Sequence, residues 1–339
     1  MTDNCNYKDT EPVVYQVDAA VARPSAPESV DDNIIGLGTV KGVTAAALYQ
    51  DVRKSGRSTG VTRGHVTVIG TTVNVGVGSG RIIRLSDQIV TTRMADPGDS
   101  GSLLLDGANH AIGLLFAGSS SVTLYNPIHQ VLAALRVRLT QDSRESDSSL
   151  TSQYDSLISL AREKAADLFH FPSVVGVGVG TKIVNEVDTG KPCLTVLVKQ
   201  KKSRELLSEE ELIPGKLDEA ATDVVESGYL NTGSVTKWYG SRLDRKIKMR
   251  PARPGLSIAH YQVSAGTFGA VVYDINNGEP LILSNNHVLA NATNGKDGLA
   301  KAGDAILQPG KLDGGNLPGD MIGELLRFYP LHFINNSNI

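Results

Sequence analysis

Apolar residues in this chain come in short runs bounded by turn formers. From about residue 12 to 140 the runs Val13–Val21, Val66–Val75, Arg81–Ile89, Ser102–Leu105 and Ile112–Phe116 are rich in Val, Ile and Thr, with Gly, Asn and Asp between them. This pattern predicts strands. The block closes on Asn126-Pro127 followed by IHQVLAALRVRL, which predicts a terminal helix with Asn126 as N-cap and Pro127 in the first helical position. The polar QDSRESDSSLTSQYDS then reads as a linker.

A second block spans about 155–235. DSLISLAREKAADLF carries apolar residues at helical spacing (Leu157, Leu160, Ala161, Ala165, Leu168), interrupted by Lys164. VVGVGVGTKI and CLTVLVKQK read as strands, and Ser208-x-x-Glu211 as the start of a short helix. A third block, about 250–339, returns to strands in SIAHYQV, TFGAVVYDI, EPLILSNN, AILQPG and DMIGELLRF. The expected fold is mainly β with a small α/β domain between two β-rich blocks.

Composition adds few constraints. Of 339 residues 40% are hydrophobic, as in an ordinary globular protein, and the formal net charge of -3 favours no polyanionic partner. No apolar run reaches membrane-spanning length, and the polar MTDNCNYKDTEP lacks the apolar core of a signal peptide. Only Cys5 and Cys193 are present. With no disulfide expected between them, a reducing, cytoplasmic setting fits best. VGVGVG at 175–180 lacks phosphate-loop spacing and reads as a glycine-alternating strand. The basic run Arg242–Arg253 reads as a solvated linker, and no zinc-ligand spacing occurs, so neither metal nor cofactor is expected.

The strongest chemical signal is GDSGS at 98–102. Acyl transfer needs a nucleophilic hydroxyl in a tight turn whose backbone N–H groups face the developing oxyanion. Ser100 supplies the hydroxyl. Gly98 lets the backbone turn its N–H inward, and the N–H of Ser100 is the second donor. A polar β-turn competes with this reading of the tetrapeptide alone. Ser102 stands where the alternative G-x-S-x-G motif requires glycine.

The stretch SLLLDGANHAIGLLFAGSSSVTLYNPIHQVL resembles the end of trypsin-like domains, and KSGRSTGVTRGHVTVI resembles the SGRTTG segment of bacterial chymotrypsin-fold proteases such as the streptogrisins. EPLILSNNHVLA resembles the strand that carries the catalytic histidine in that fold, and VDAAVARP the segment that carries the aspartate. The resemblance thus implies a Ser100–His287–Asp18 triad, set against the bland readings of a surface-loop histidine and a strand-edge aspartate. It further implies a substrate pocket floored by Met94, six residues before Ser100, and bordered by Phe116, Ala117 and Gly118. These are apolar or small, which predicts an apolar or small residue before the scissile bond. It also implies an Arg57–Asp99 pair supporting the serine loop.

The order Asp18, Ser100, His287 is a circular rotation of the His-Asp-Ser order of chymotrypsin-like enzymes. A circularly permuted double β-barrel follows, with an inserted small α/β domain. Residues 1–30 would end the first barrel, 31–140 form the second, 141–154 a linker, 155–235 the α/β domain, 236–254 a basic linker, and 255–339 the rest of the first barrel. Asp18 would complete the triad in its own chain or in a neighbour's. The expected partner is a protein or peptide substrate, with no nucleic acid and no membrane. The expected function is a serine endopeptidase; the alternative is an inactive pseudoprotease acting as a binding module.

Overall fold

The computed structural model describes residues 16–78, 80–140, 154–233 and 243–334. Two sheets organise it. In the larger, the strands Gly60–Gly76, Asp51–Gly56, Leu103–Leu105, His110–Gly118, Val122–Pro127 and Ile82–Thr92 pair in that order, and the last pairs back to the first. The ring therefore closes and leaves no free edge among its six members. The helix Ile128–Leu135 follows and buries Ile128, Val131 and Leu135.

That helix begins one residue later than its sequence suggests, with Pro127 as N-cap and no side-chain cap. Asn126 is engaged elsewhere: its Oδ1 accepts the N–H of Asp18 at 2.8 Å and its Nδ2 donates to Leu114 O at 3.3 Å. A tertiary demand has taken the side chain that local pattern assigned to the cap.

The small α/β segment is not a separate sheet. Val174–Val184 pairs antiparallel with Gly60–Gly76, and Val187–Val198, Ala220–Glu226 and Lys216–Leu217 extend the layer outward. The glycine alternation in 175–180 has a packing cause. A Cβ on Gly178 would sit 2.6 Å from Thr71 Oγ1 and 3.0 Å from Ile69 O. The helix Asp155–Leu168 covers this junction, with Ala161, Ala165 and Leu168 buried against Ile69, Val177 and Val196. The Ser208–Glu211 capping box caps a single 3-10 turn, Glu209–Glu211.

The eight-stranded second sheet runs Gly266–Thr267, Ser257–His260, Ala305–Leu307, Met321–Phe328, Ala20–Pro24, Pro280–Ser284, Ala270–Asp274, Val137–Arg138. Ala20–Pro24 lies in its interior, antiparallel to strands some 260 and 300 residues later: Ala20 faces both Ser284 and Phe328. Ala20, Val21 and Ala22 are wholly buried. The strand starts later than the expected Val13–Val21, whose residues 13–15 lie outside the described set, so Asp18 precedes the strand rather than lying within it.

Residues 243–253 differ from the solvated linker expected of them. Arg245 is 2% exposed and donates to Ser55 Oγ at 2.8 Å and Gly255 O at 3.3 Å. Lys248 pairs with Asp320 at 3.2 Å, and Arg253 donates to Asn33 O at 3.0 Å. Charge in this stretch is spent on docking the chain. Residues 141–153 and 234–242, which include most of the first expected linker and the start of the second, lie outside the described set. Cys193 is a free, buried thiol, and no described helix is long and apolar enough to cross a membrane.

Candidate active site

Ser100 lies in a loop fastened at several points. Gly98 and Gly101 take φ of +98° and +96°, the left-handed region that glycine enters without penalty. Gly101 N donates to Leu115 O at 2.8 Å and Ser102 N to Asp99 O at 3.0 Å. Thr267, from the other sheet, grips the loop twice: its N–H donates to Ser100 O at 2.7 Å and its Oγ1 to Gly98 O at 2.9 Å. Its carbonyl accepts from Ser284 Oγ at 2.8 Å, and Ser284 ends the strand that leads into His287. The serine loop and the histidine strand are thus bound through one threonine. Among the described residues, neither the Gly98 nor the Ser100 amide has an acceptor within the protein.

His287 sits in the single helical turn Asn286–Leu289. Its Nδ1 lies 2.5 Å from Asp18 Oδ2, and its backbone N–H donates to Asp18 Oδ1 at 3.1 Å. The aspartate is wholly buried. Asn285 fixes the same residue by donating from Nδ2 to Asp18 O at 2.7 Å. A carboxylate only accepts, so Nδ1 carries the proton and Nε2 presents a lone pair. That Nε2 is buried and has no hydrogen-bond partner. Asp18 and His287 belong to one chain, so no second copy is needed to join them.

Ser100 Oγ does not bond to Nε2. It donates to Thr232 O at 3.2 Å. Thr232 lies in the segment that follows the α/β strands, which the sequence reading left without a role.

The expected Arg57–Asp99 pair does not form. Asp99 is held by Lys54, whose Nζ is 2.9 Å from Oδ2, both side chains being wholly buried. Asp99 Oδ1 also accepts the N–H groups of Ser58 at 2.8 Å and Thr59 at 3.1 Å, and Oδ2 accepts Thr59 Oγ1 at 2.7 Å. Burial pushes the Lys54 ammonium pKa down, and the adjacent Asp99 charge pulls it back up. Arg57 turns the other way. Its Nε and Nη2 make a two-pronged pair with Asp313 at 2.5 Å each, and Ser257 Oγ donates to the same carboxylate at 2.5 Å. A strand side chain three residues earlier reaches the loop directly, while the turn residue Arg57 lies beside the other sheet. Arg57 still touches the loop's support through its backbone, donating to Thr267 Oγ1 at 3.0 Å.

The four pocket residues are divided. Met94 is buried in one core cluster with Val52, Val66 and Tyr125, and its N–H donates to Thr123 Oγ1 at 2.9 Å. Phe116 and Ala117 are buried in another, with Val75 and Leu230. Gly118 bonds to Asn231 in both directions, at 3.0 and 3.1 Å.

No family model matches the chain. Streptogrisin-A of Streptomyces griseus is 34% identical over 126 residues, 34% of this chain and 41% of that protein. Serine protease 2 of Streptomyces fradiae is 39% identical over 82 residues, 24% of this chain and 44% of the relative. The homologues are bacterial chymotrypsin-like serine proteases. The chain spans less than half the length of these curated relatives. Among solved structures, a chymotrypsin of Cellulomonas bogoriensis aligns with 30% of this chain and 56% of its own, at 34% identity and a TM-score of 0.26. Protease A of Thermobifida fusca aligns with 31% and 56%, at 28% identity and a TM-score of 0.27.

Two site features escaped the sequence reading. Lys54 lies inside the very KSGRSTG segment that drew attention to Arg57, and Gly56 is the overlooked signal. A Cβ there would fall 2.3 Å from Asp99 Oδ1, so the carboxylate occupies the space the glycine leaves open. The Leu230–Thr232 segment carries no motif of its own.

Proposed function

We propose that the chain is a serine endopeptidase, a circularly permuted relative of the streptogrisins, that cleaves peptide bonds through Ser100, His287 and Asp18. The reading rests on the Asp18–His287 pair, which leaves Nε2 buried and unpartnered, and on a serine loop fastened to the histidine's own strand through Thr267. In this mechanism Nε2 takes the Ser100 proton as Oγ attacks the carbonyl carbon, and returns it to the leaving amine. The N–H groups of Gly98 and Ser100 donate hydrogen bonds to the oxyanion. Water then attacks the acyl-enzyme by the reverse proton path.

Met94 is buried in a separate core cluster and takes no part, and the pocket residues that stay together in one strand, Phe116, Ala117 and Gly118, offer no carboxylate. A lysine or arginine before the scissile bond would be desolvated without a counter-charge, so we assign an apolar or small residue to that position. Peptide-library cleavage dominated by Arg or Lys would overturn this assignment.

The triad is tested by fluorophosphonate labelling and peptide hydrolysis. Ser100→Ala removes both. Asp18→Asn lowers kcat by ~10⁴-fold, because the imidazole loses the tautomer that frees Nε2. Hydrolysis by Ser100→Ala at the parent's rate would refute the reading. A non-catalytic binding module, the alternative, gives no Ser100-dependent adduct.

A further inference from the structure

One peptide plane decides whether the Gly98 N–H can serve an oxyanion. Asp96, Pro97, Gly98 and Asp99 form a β-turn closed by Asp99 N, which donates to Asp96 O at 3.0 Å. Such a turn has two common forms that differ by a flip of its central peptide, here Pro97–Gly98. Proline suits the second place of both forms, and glycine enters either sign of φ at comparable cost, so the local sequence leaves the choice open. Gly98 takes φ +98°, which marks the form with positive φ in the third place. The Pro97–Gly98 bond is trans, so its C=O and N–H point in opposite directions. Whatever holds Pro97 O therefore aims the Gly98 N–H.

Pro97 O is held by Ser58, whose Oγ donates to it at 2.7 Å. Arg57 sets the direction of that bond: its Nη1 donates to Ser58 Oγ at 3.0 Å. A guanidinium only donates, so it takes a lone pair of the hydroxyl and leaves the single proton for Pro97 O. Arg57 is 2% exposed and is locked from behind by its two-pronged pair with Asp313. The Ser58 backbone is fixed as well, its N–H donating to Asp99 Oδ1 at 2.8 Å. The next peptide, Gly98–Asp99, is tied at both ends, by Thr267 Oγ1 on Gly98 O at 2.9 Å and by Asp99 N on Asp96 O. Both peptides around the Gly98 Cα are thus clamped, while among the described residues the Gly98 N–H itself has no acceptor.

We infer that Ser58 is a positioning residue for catalysis: its hydroxyl, directed by Arg57, holds the Pro97–Gly98 peptide in the plane that presents the Gly98 N–H to the developing oxyanion. The inference rests on the peptidase reading above. Without the hydroxyl, Pro97 O loses its protein partner and the flipped turn becomes accessible. The flipped turn aims the Gly98 N–H away from the oxyanion and turns a carbonyl oxygen toward it. The oxyanion forms only as the carbonyl carbon is attacked, so the loss falls on the chemical step and spares substrate binding. The Lys54–Asp99 pair and the bond from Ser58 N to Asp99 Oδ1 do not involve the hydroxyl and survive its removal.

The test compares Ser58→Ala with Ser58→Thr, which keeps a hydroxyl. Losing a hole donor outright costs about 10²–10³-fold in kcat, and a donor misdirected in part of the population costs less, so Ser58→Ala should lower kcat by about 10–100-fold. KM and the number of Ser100 hydroxyls titrated to completion by fluorophosphonate stay at the parent's values, and Ser58→Thr restores most of kcat. A peptide trifluoromethyl ketone ending in alanine, whose adduct on Ser100 carries the oxyanion, binds Ser58→Ala more weakly by about the factor lost in kcat. A merely structural role would instead lower the count of reactive Ser100 or the urea midpoint. The bond itself is read without turnover: in Ser100→Ala protein, adding Ser58→Ala moves the carbonyl 13C resonance of Pro97 and the amide resonance of Gly98. Parent-like kcat in Ser58→Ala overturns the inference, as does a loss confined to KM or to the count of reactive Ser100. Unmoved Pro97 and Gly98 resonances overturn the clamp. If no form yields a Ser100-dependent adduct, the peptidase reading falls, and the resonances alone decide whether Ser58 sets this peptide.

Discussion

Buried charges at the site are paired across segments, and the choice of partner has consequences. Lys54 neutralises Asp99 behind the serine, whereas Arg57 neutralises Asp313 against the other sheet. Removing one member of a buried pair leaves an uncompensated charge and costs about 3–5 kcal/mol. Lys54→Met is therefore expected to lower stability by about that amount in urea melts and to slow Ser100 labelling strongly, since Asp99 is one residue from the nucleophile. Arg57→Ala orphans Asp313, so it lowers stability too but disturbs labelling less. A larger loss of labelling in Arg57→Ala than in Lys54→Met would reverse the assignment. His260 gives a pH test away from the site. Burial lowers its pKa from the ordinary 6.5, and Asp304, 3.1 Å from Nε2, pulls it back only in part. The folded state then binds fewer protons than the unfolded one, so this contribution to stability is present above about pH 6.5 and falls away as pH drops toward the folded pKa. His260→Gln should flatten the acid limb of a urea-midpoint profile. An unchanged limb would remove His260 from the account. The Asp18–His287 contact joins two residues that short motifs had singled out; Lys54 carried no such motif, because its partner is named only by the folded chain.

At the scale of elements, local pattern found the long apolar strands of the two β-rich blocks but missed Asp51–Gly56 and Val122–Pro127, two members of the closed ring. It failed where a side chain had a distant obligation, as Asn126 has to Asp18. The contact between the two sheets is a further case. Gly101 reads in the sequence as the tail of a serine motif, but its conformation and surroundings are set by elements far along the chain. With φ at +96°, a Cβ would fall 2.1 Å from Ser284 Oγ and 2.3 Å from Thr267 O, and the second is backbone that cannot step aside. Overpacking costs about 1–3 kcal/mol and the left-handed backbone about 1–2 more, so Gly101→Ala should lose about 2–5 kcal/mol. Gly107 is the control. Nothing lies within 4 Å of its would-be Cβ, so Gly107→Ala should leave the urea midpoint close to that of the parent. Equal midpoints for both alanine variants would show that the serine loop and the Ser284 strand are not pressed together.

At the scale of the molecule the chain is interleaved, and this is where sequence is least informative, because pairing between remote segments has no local signature. The circular order of Asp18, Ser100 and His287 could be read from motifs. That the small α/β segment continues the barrel's sheet through Val174–Val184 could not, nor that Val137–Arg138 crosses to the histidine's sheet and Phe333–Ile334 to the serine's. The strand Ala20–Pro24 carries the most weight, since it is flanked by Pro280–Ser284 and Met321–Phe328 in the middle of a sheet. A chain lacking residues 1–25 loses that strand, the buried side chains of Ala20, Val21 and Ala22, and the carboxylate that fixes His287. Two inner strands would then face a gap, each with a row of unpaired N–H and C=O groups, the condition that recruits other chains into aggregates. The truncated protein is therefore expected to be recovered mainly as insoluble or high-mass material and to give no Ser100-dependent adduct. Asp18→Asn in the full chain separates the two losses, since it keeps the strand and should remain soluble and monomeric on size-exclusion chromatography while losing turnover. A soluble, monomeric and probe-reactive truncation would mean that the histidine's sheet closes without its N-terminal strand.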